Sequence, residues 1–367
     1  MKYICNVDWL ELYCSMPVDS VLGTDQIYKV KHRDYGTRVY KDIYDVCLTD
    51  ATPLMTICRN PLSSITNGGI LRPDMCHVKL ANYWLYTNIY GDMLNTCLRH
   101  FRIKPINISR LDLCCDFQFC QSGLPANCVM GQLMTRKLLK IHQGAWTCHA
   151  NDRDKLVYNS MSFGSKSSPV FTRFYNKSLE LKQVCDKPYI RDLWVQTGFK
   201  EDTDVFRVEF ALTDIGRKVV DTETGVILDI ELNNILTRAD VTSLFLFYAS
   251  HYFDLRKNDN DRKSRCTPIN VFPKVAEELI VYQRPRYGSS TRADKITCNR
   301  LLDYMYSDAT DLHGKCLARD VLLEFSKTKR LDDWLQIKRR DIQHYMYEQS
   351  VADKDNQYYL QINNEKK

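Results

Sequence analysis

The sequence predicts an α+β protein: an antiparallel sheet with helices on one face over residues 1–215, then a mainly helical region over residues 216–367. Three observations carry this reading. Runs near residues 3–14, 157–163 and 170–175 alternate apolar and polar side chains, the period of half-buried strands. Between them, residues 82–101 and 126–142 repeat their apolar side chains at helical spacing. Beyond about Thr213 alternation gives way to helical patterns, interrupted by a charged connector at 256–265.

In chain order, the first strand places Val7 and Trp9 on one face and Asp8 and Leu10 on the other. β-Branched and aromatic runs at 36–48, 55–59 and 77–80 read as further strands. The helix expected at 82–101 ends on Arg99, His100 and Arg102, which suit the negative end of its dipole. Residues 108–119 form a strand that is apolar on both faces except for Asp112 and Asp116, which are evenly spaced and so project from one face. In the unit at 157–181, two alternating runs flank Gly164-Ser165-Lys166-Ser167-Ser168-Pro169, which predicts a hairpin with a polar, basic tip and a helical tail at 177–183. A strand over 204–213 carries Glu209. Helices are expected at 229–236, 239–255, 273–282, 294–306, 317–325 and 331–347.

With 367 residues, 44% hydrophobic and 26% charged, the chain can bury a sizeable core and has room for two domains. A net charge of +6 permits a nucleic-acid partner without requiring one. The 15 cysteines include no Cys-x-x-Cys pair and the start carries no secretory pattern, so they read as buried thiols in a reducing cytoplasm. No apolar run is long enough for a bilayer, which excludes a membrane partner of the spanning kind. A phosphate-binding P-loop, a dinucleotide fingerprint and a His-hydrophobic-His triplet are all missing.

The candidate chemistry centres on Tyr175. On a strand, Arg173, Tyr175 and Lys177 share one face, so a phenol stands between two cations. Positive charge favours a phenolate and can hold a phosphate under attack. The plain alternative is a strand aromatic between solvated cations, and in a chain with 22 tyrosines composition favours it. Asp112 and Asp116 need partners, since an unpaired buried carboxylate is costly: either Arg110 or a helix residue, or a hard cation. Later, Arg284, Arg286 and Arg292 surround Tyr287, and Lys338, Arg339 and Arg340 follow Trp334. Such mixtures suit phosphate contacts and base stacking, or a solvated helix face.

Phe163-Gly164-Ser165-Lys166-Ser167, then Arg173-Phe174-Tyr175-Asn176-Lys177 and Glu180, resemble the Rep_trans family of rolling-circle replication initiators. Ser109-Arg110-Leu111-Asp112 through Asp116 is similar to that family's Arg-x-Asp-x-x-x-Asp strand, Phe206-Arg207-Val208-Glu209-Phe210 to its Arg-Val-Glu strand, and Val7-Asp8-Trp9-Leu10-Glu11-Leu12 to its first strand. All occur in the family's order, over roughly residues 4–215; Lys166 and Asn176 depart from the usual arginine and acid. The resemblance implies a nicking and strand-transfer domain in which Tyr175 attacks single-stranded or hairpin origin DNA, leaving a 5′-phosphotyrosine and a 3′-OH primer. It further implies Arg173 and Lys177 as charge-stabilising residues and a divalent metal, Mg2+ or Mn2+, held among Asp112, Asp116, Glu209 and Asp8. It places Lys166 and the later basic residues on DNA, with a host helicase and a second copy of the chain as further partners. A relaxase of a mobile element, or a DNA-binding relative that does not cleave, remain the alternatives.

Overall fold

The computed structural model describes residues 1–63, 71–141, 145–151, 157–166, 168–184, 186–213, 216–221, 227–273, 282–283, 292–307, 309–328 and 331. The chain divides into two compact units, residues 1–66 with 70–284, and residues 67–69 with 285–367. In the second, α7 (Arg292–Tyr306) and α8 (Leu312–Thr328) share a small core of Cys298, Leu302, Leu322 and Leu331. The first unit extends past residue 215, because the helix at 238–252 packs on the sheet.

Its first eleven strands in chain order are β1 (Tyr3–Ser15), β2 (Tyr28–His32), β3 (Tyr40–Leu48), β4 (Pro53–Pro61), β5 (Met75–Leu80), β6 (Lys104–Phe117), β7 (Leu138–Lys140), β8 (Trp146–Asn151), β9 (Val157–Phe163), β10 (Val170–Asn176) and β11 (Phe206–Leu212). Ten of them, all but β7, form one sheet in the order β2-β3-β4-β5-β1-β6-β11-β10-β9-β8. Every neighbouring pair in it is antiparallel. The α+β class expected from the sequence is therefore present, built on a large antiparallel sheet. The longest strands, β1 and β6, pair in its middle.

The core lies on one face of that sheet. Leu111, Leu113, Cys115 and Phe117 of β6 alternate inward with Val208 and Phe210 of β11 and Phe174 of β10, all fully buried. Over them lies α6 (Arg238–Tyr252), whose buried residues Val241 and 243–249 surround the helix. A helix apolar on all sides is stable only when covered on all sides. Phe210 meets Phe245 at 5.1 Å between ring centroids, Phe174 meets Phe253 at 5.4 Å, and Phe117 meets Phe272 at 5.0 Å.

Helices also cover one end of the opposite face, contrary to the expectation of helices on one face only. They are α1 (Asn82–Leu85) and α5 (Pro188–Thr197). The expected helix at 82–101 is thus two, α1 and α2 (Tyr90–His100), separated by a turn at 86–89. The helix expected at 126–142 stops early as α3 (Ala126–Met134), because Arg136 takes a left-handed backbone with φ of 58° and the chain re-enters as β7. Between β10 and α5, α4 (Lys177–Gln183) begins where the Asn176 side chain accepts the Leu179 N–H at 2.9 Å. Pro188 opens α5 and left-handed Gly198 closes it, the usual asymmetry of helix ends. The helices expected at 273–282 and 331–347 fall almost wholly outside the described residues.

Replacing Phe210 with alanine should cost about 3–5 kcal/mol, because its ring fills the sheet–α6 contact. Urea unfolding followed by far-UV circular dichroism measures it, and a cost below about 1 kcal/mol would show that this contact is not the core.

Candidate functional site

Residues separated by some two hundred positions meet because β1, β6, β11 and β10 are consecutive in the sheet. Register places their polar side chains in rows on the face away from α6. Asp116, Arg207 and Tyr175 stand directly opposite one another across β6, β11 and β10; so do Cys114, Glu209 and Arg173. On β1 the alternation breaks: Val7 pairs with Leu113 but Trp9 pairs with Asp112, leaving Asp8 as the extra residue of a bulge. The bulge separates Val7 from Trp9, which the sequence placed together, and lets Asp8 reach the polar face.

At the covered end of this face Arg207 is completely buried. Its Nε and Nη2 donate to the two oxygens of Asp116 at 2.6 and 2.8 Å, and Nη1 donates to Asp8 at 2.7 Å. Trp194 of α5 donates to Asp116 at 2.8 Å, and Tyr86 donates a short hydrogen bond to Asp8. Burial works to raise the Asp8 carboxyl, but Arg207, Lys177 and Tyr86 outweigh it and hold it well below the usual range.

At the other end the face opens into a cavity of about 720 Å³. Arg110, Arg173, Lys166 and His77 bring basic groups to its wall, against Glu11 and Asp112. Arg110 grips Asp112 with two hydrogen bonds, at 3.2 and 2.8 Å. Burial nonetheless raises the Asp112 carboxyl above its ordinary value. Trp9 is flanked by Lys79 at 3.7 Å and Arg110 at 4.2 Å from its ring, and donates to Glu11 at 2.7 Å. His77 completes this side, with Nε2 3.0 Å from Ser109 Oγ and 3.4 Å from Glu11.

Tyr175 lies between the two ends. Its hydroxyl donates to Glu209 Oε2 at 3.0 Å, while Glu209 Oε1 is ion-paired with Arg173. Arg173 Nε has no hydrogen-bond partner among the described residues. Lys177, now the first residue of α4, keeps its ammonium 5.6 Å from the Tyr175 ring and pairs with Glu180. The expectation that the cations lower the phenol's pKa does not hold: burial, reinforced by Asp8 and Glu180, pushes it well above 10 against the pull of Arg207 and Arg173. Burial likewise depresses the Lys177 ammonium.

The expected metal ligands do not assemble. Asp116 and Asp8 are held by Arg207, Asp112 by Arg110 and Glu209 by Arg173. Among the described residues no group of three or more His, Cys, Asp or Glu side chains is arranged to hold a metal ion. These acids, each neutralised by a guanidinium, do not fit a divalent cation as they stand, and no step below runs through one. Of the expected DNA-contacting residues, Lys166 lies on the cavity wall and Arg292 opens α7. Arg284, Arg286, Lys338, Arg339 and Arg340 lie outside the described residues. Sequence reasoning gave no role to Trp194, Tyr86 or His77, and it named Arg207 only within the Arg-Val-Glu resemblance, without a role.

The fold and site define an antiparallel α+β protein with a charged sheet face carrying a tyrosine, a carboxylate and arginines over a cleft. No family model matches the chain, and no curated protein matches it. Among solved structures it is similar to a rolling circle replication initiator protein from Geobacillus stearothermophilus, with 16% identity over 72% of this chain and 92% of that one and a TM-score of 0.43. Among the described residues no helix is long and apolar enough to cross a membrane.

Two predictions test this charge arrangement. Arg207→Met should cost about 3–5 kcal/mol, because it leaves Asp8 and Asp116 as buried charges without their cation. In acid, the contribution of Asp8 is complete above about pH 4, its unfolded value, and is lost as pH falls toward the lower folded value. Asp112 acts in the opposite sense, since its raised carboxyl is relieved by protonation. Asp8→Asn should therefore flatten the acid loss of stability and Asp112→Asn should steepen it, read from urea midpoints between about pH 3 and 6.

Proposed function

We propose that the chain nicks and rejoins single-stranded origin DNA as a rolling-circle replication initiator, with Tyr175 as nucleophile. The observation that carries this is the hydrogen bond from Tyr175 to Glu209, beside Arg173 on the wall of a basic cleft. A nucleophile and a proton acceptor at hydrogen-bond distance, oriented by a third group, is the arrangement covalent catalysis requires. The four strands that supply it are the ones whose motifs resemble the initiator family.

A neutral phenol needs its proton removed as it attacks, and Glu209 is placed to accept it. Arg173 turns to a non-bridging oxygen of the phosphate, using donors that include its unpartnered Nε. The Tyr175 oxygen bonds to phosphorus as the phosphorus–O3′ bond breaks; the phenol proton passes to Glu209, and the leaving 3′ oxygen takes a proton from water. The products are a 5′-phosphotyrosine and a 3′-OH that can prime synthesis. In the reverse step a later 3′-OH attacks the phosphotyrosine and gives its proton to the hydroxide left by the first step, the phosphorus–Tyr175 oxygen bond breaks, Glu209 returns its proton to Tyr175, and the strand is resealed. Arg110 and Lys166 line the same cleft and suit the flanking phosphates.

A second reading, a DNA-binding protein that keeps the fold without cleaving, is favoured by the burial that keeps the phenol neutral. One experiment separates the two. The purified chain is incubated with single-stranded and hairpin oligonucleotides from its own replicon and Mg2+ or Mn2+, and denaturing gels are read for a protein–DNA adduct. The native chain should form one, Tyr175→Phe none at equal DNA affinity, and Glu209→Gln should form it about 100-fold or more slowly. DNA binding by the native chain without any adduct favours the non-cleaving reading.

A further inference from the structure

The cleft beside Tyr175 holds an aromatic side chain that strand transfer does not use. Phe171 precedes Arg173 by two residues on β10, so it shares the polar face, and it lines the cleft. It is half-buried, belongs to neither hydrophobic core and makes no ring or cation contact among the described residues. The neighbouring Phe117, Phe163, Phe174 and Phe210 are instead fully buried and packed ring on ring. A lone apolar side chain on an outer surface is ordinary. Inside a charged cleft, it offers an unused stacking face.

Register decides what stands beside it. Phe171, Ala211, Asp112 and Trp9 are directly opposite one another across β10, β11, β6 and β1. Ala211 is the small member of that row, so the cleft floor steps down between the Phe171 ring and the Arg110–Asp112 pair. Those walls are two strands apart, ~10 Å at ~4.8 Å per strand, which leaves room for a flat ring laid against Phe171. On the other side the pairing of Thr172 with Phe163 puts Gly164 next to Phe171, and glycine has no side chain to cover it. The charges around this notch are cationic toward the opening. Arg110 and Arg173 are 43% and 42% exposed and Lys166 is exposed, whereas Asp112 is buried under Arg110 and Glu11 is engaged by Trp9 and His77.

We propose that the notch over Ala211 takes one unpaired base of the bound strand, stacked on Phe171, while Arg173 holds the phosphate beside it. Phe171 and Arg173 are ~7 Å apart along β10, an interval that the sugar between a base and its phosphate can bridge. A base in a duplex has both faces covered by its neighbours, so the notch selects single strands, and it does so without regard to sequence because every base has a stacking face. The inference rests on the reading of the cleft as a single-strand site, and it holds whether or not Tyr175 cleaves.

Fluorescence anisotropy of the full chain with a short oligothymidylate, and with the abasic oligomer of the same length, tests it. The native chain should bind the thymidylate about fivefold or more tightly, the effect of one stacked base. Phe171→Ala removes the ring and Ala211→Leu fills the notch; each should keep the native Tm and the abasic affinity but lose the preference, and Phe171→Tyr should retain it. Lys166→Gln should weaken both oligomers alike, as loss of a phosphate contact does. Preference kept in Phe171→Ala or Ala211→Leu, or a loss shared equally by both oligomers in either, overturns the proposal and leaves strand transfer standing. A native chain that binds neither oligomer overturns the reading of the cleft itself. Base preference that depends on Phe171 in a chain forming no covalent adduct supports the proposal alongside the non-cleaving reading.

Discussion

One buried arginine organises the sheet. Arg207 cannot be deprotonated and has no solvent around it, so it needs acceptors for its fork of donors. Asp116 and Asp8 supply them from β6 and from the bulge of β1. The bulge, the pairing of β6 with β11 and the placement of Tyr86 and Trp194 over this end all serve that requirement. Charge balance alone does not show that the cluster adds net stability, since burying ions costs several kcal/mol each. What it does is fix register: a slip of one residue would send Arg207 into the phenylalanines beneath α6. Tyr175, directly opposite Arg207 on β10, inherits its position from that constraint.

On the same face the carboxylates are turned to guanidinium groups, and among the described residues no three such acids are arranged to hold a metal ion. A divalent ion needs several oxygens turned to one point, with positive charge kept away. Here each acid is met by an arginine one or two strands, or two residues, away, and the oxygens turn toward guanidinium groups. The cleft is left with basic groups outward, the polarity that suits a nucleic-acid backbone. It spans β5 to β10, about 19 Å at ~4.8 Å per strand, enough for more than one phosphate along a single strand.

Much of this was legible in the sequence, for identifiable reasons. The hairpin of β9 and β10, the β6 strand with its paired acids and the Glu209 strand all announce themselves because strand alternation is a local property. The apolar character of α6 likewise reads directly, since a helix covered on all sides needs no polar stripe. What depends on long-range pairing did not. Alternation puts Asp8 opposite Trp9, and only the bulge against β6 reverses this. The phenol's proton affinity is set by desolvation and by Asp8, Glu180, Arg207 and Arg173, most of them brought to it from other strands, which no local spacing encodes. The break after Tyr86 carries no proline or glycine, so the helical period runs through it unmarked.

The pairing of Arg173 with Glu209 has a consequence for how the proposed reaction is timed. While Arg173 pairs with one oxygen of Glu209, the other accepts the hydrogen bond of a phenol whose pKa is raised, so the phenol keeps its proton. A phosphate entering the cleft competes for the same guanidinium. As Arg173 moves to the phosphate, Glu209 loses its cation and becomes a stronger acceptor within 3.0 Å of the hydroxyl. Binding and deprotonation are then linked through one side chain: the nucleophile is activated only when the group it attacks is in place.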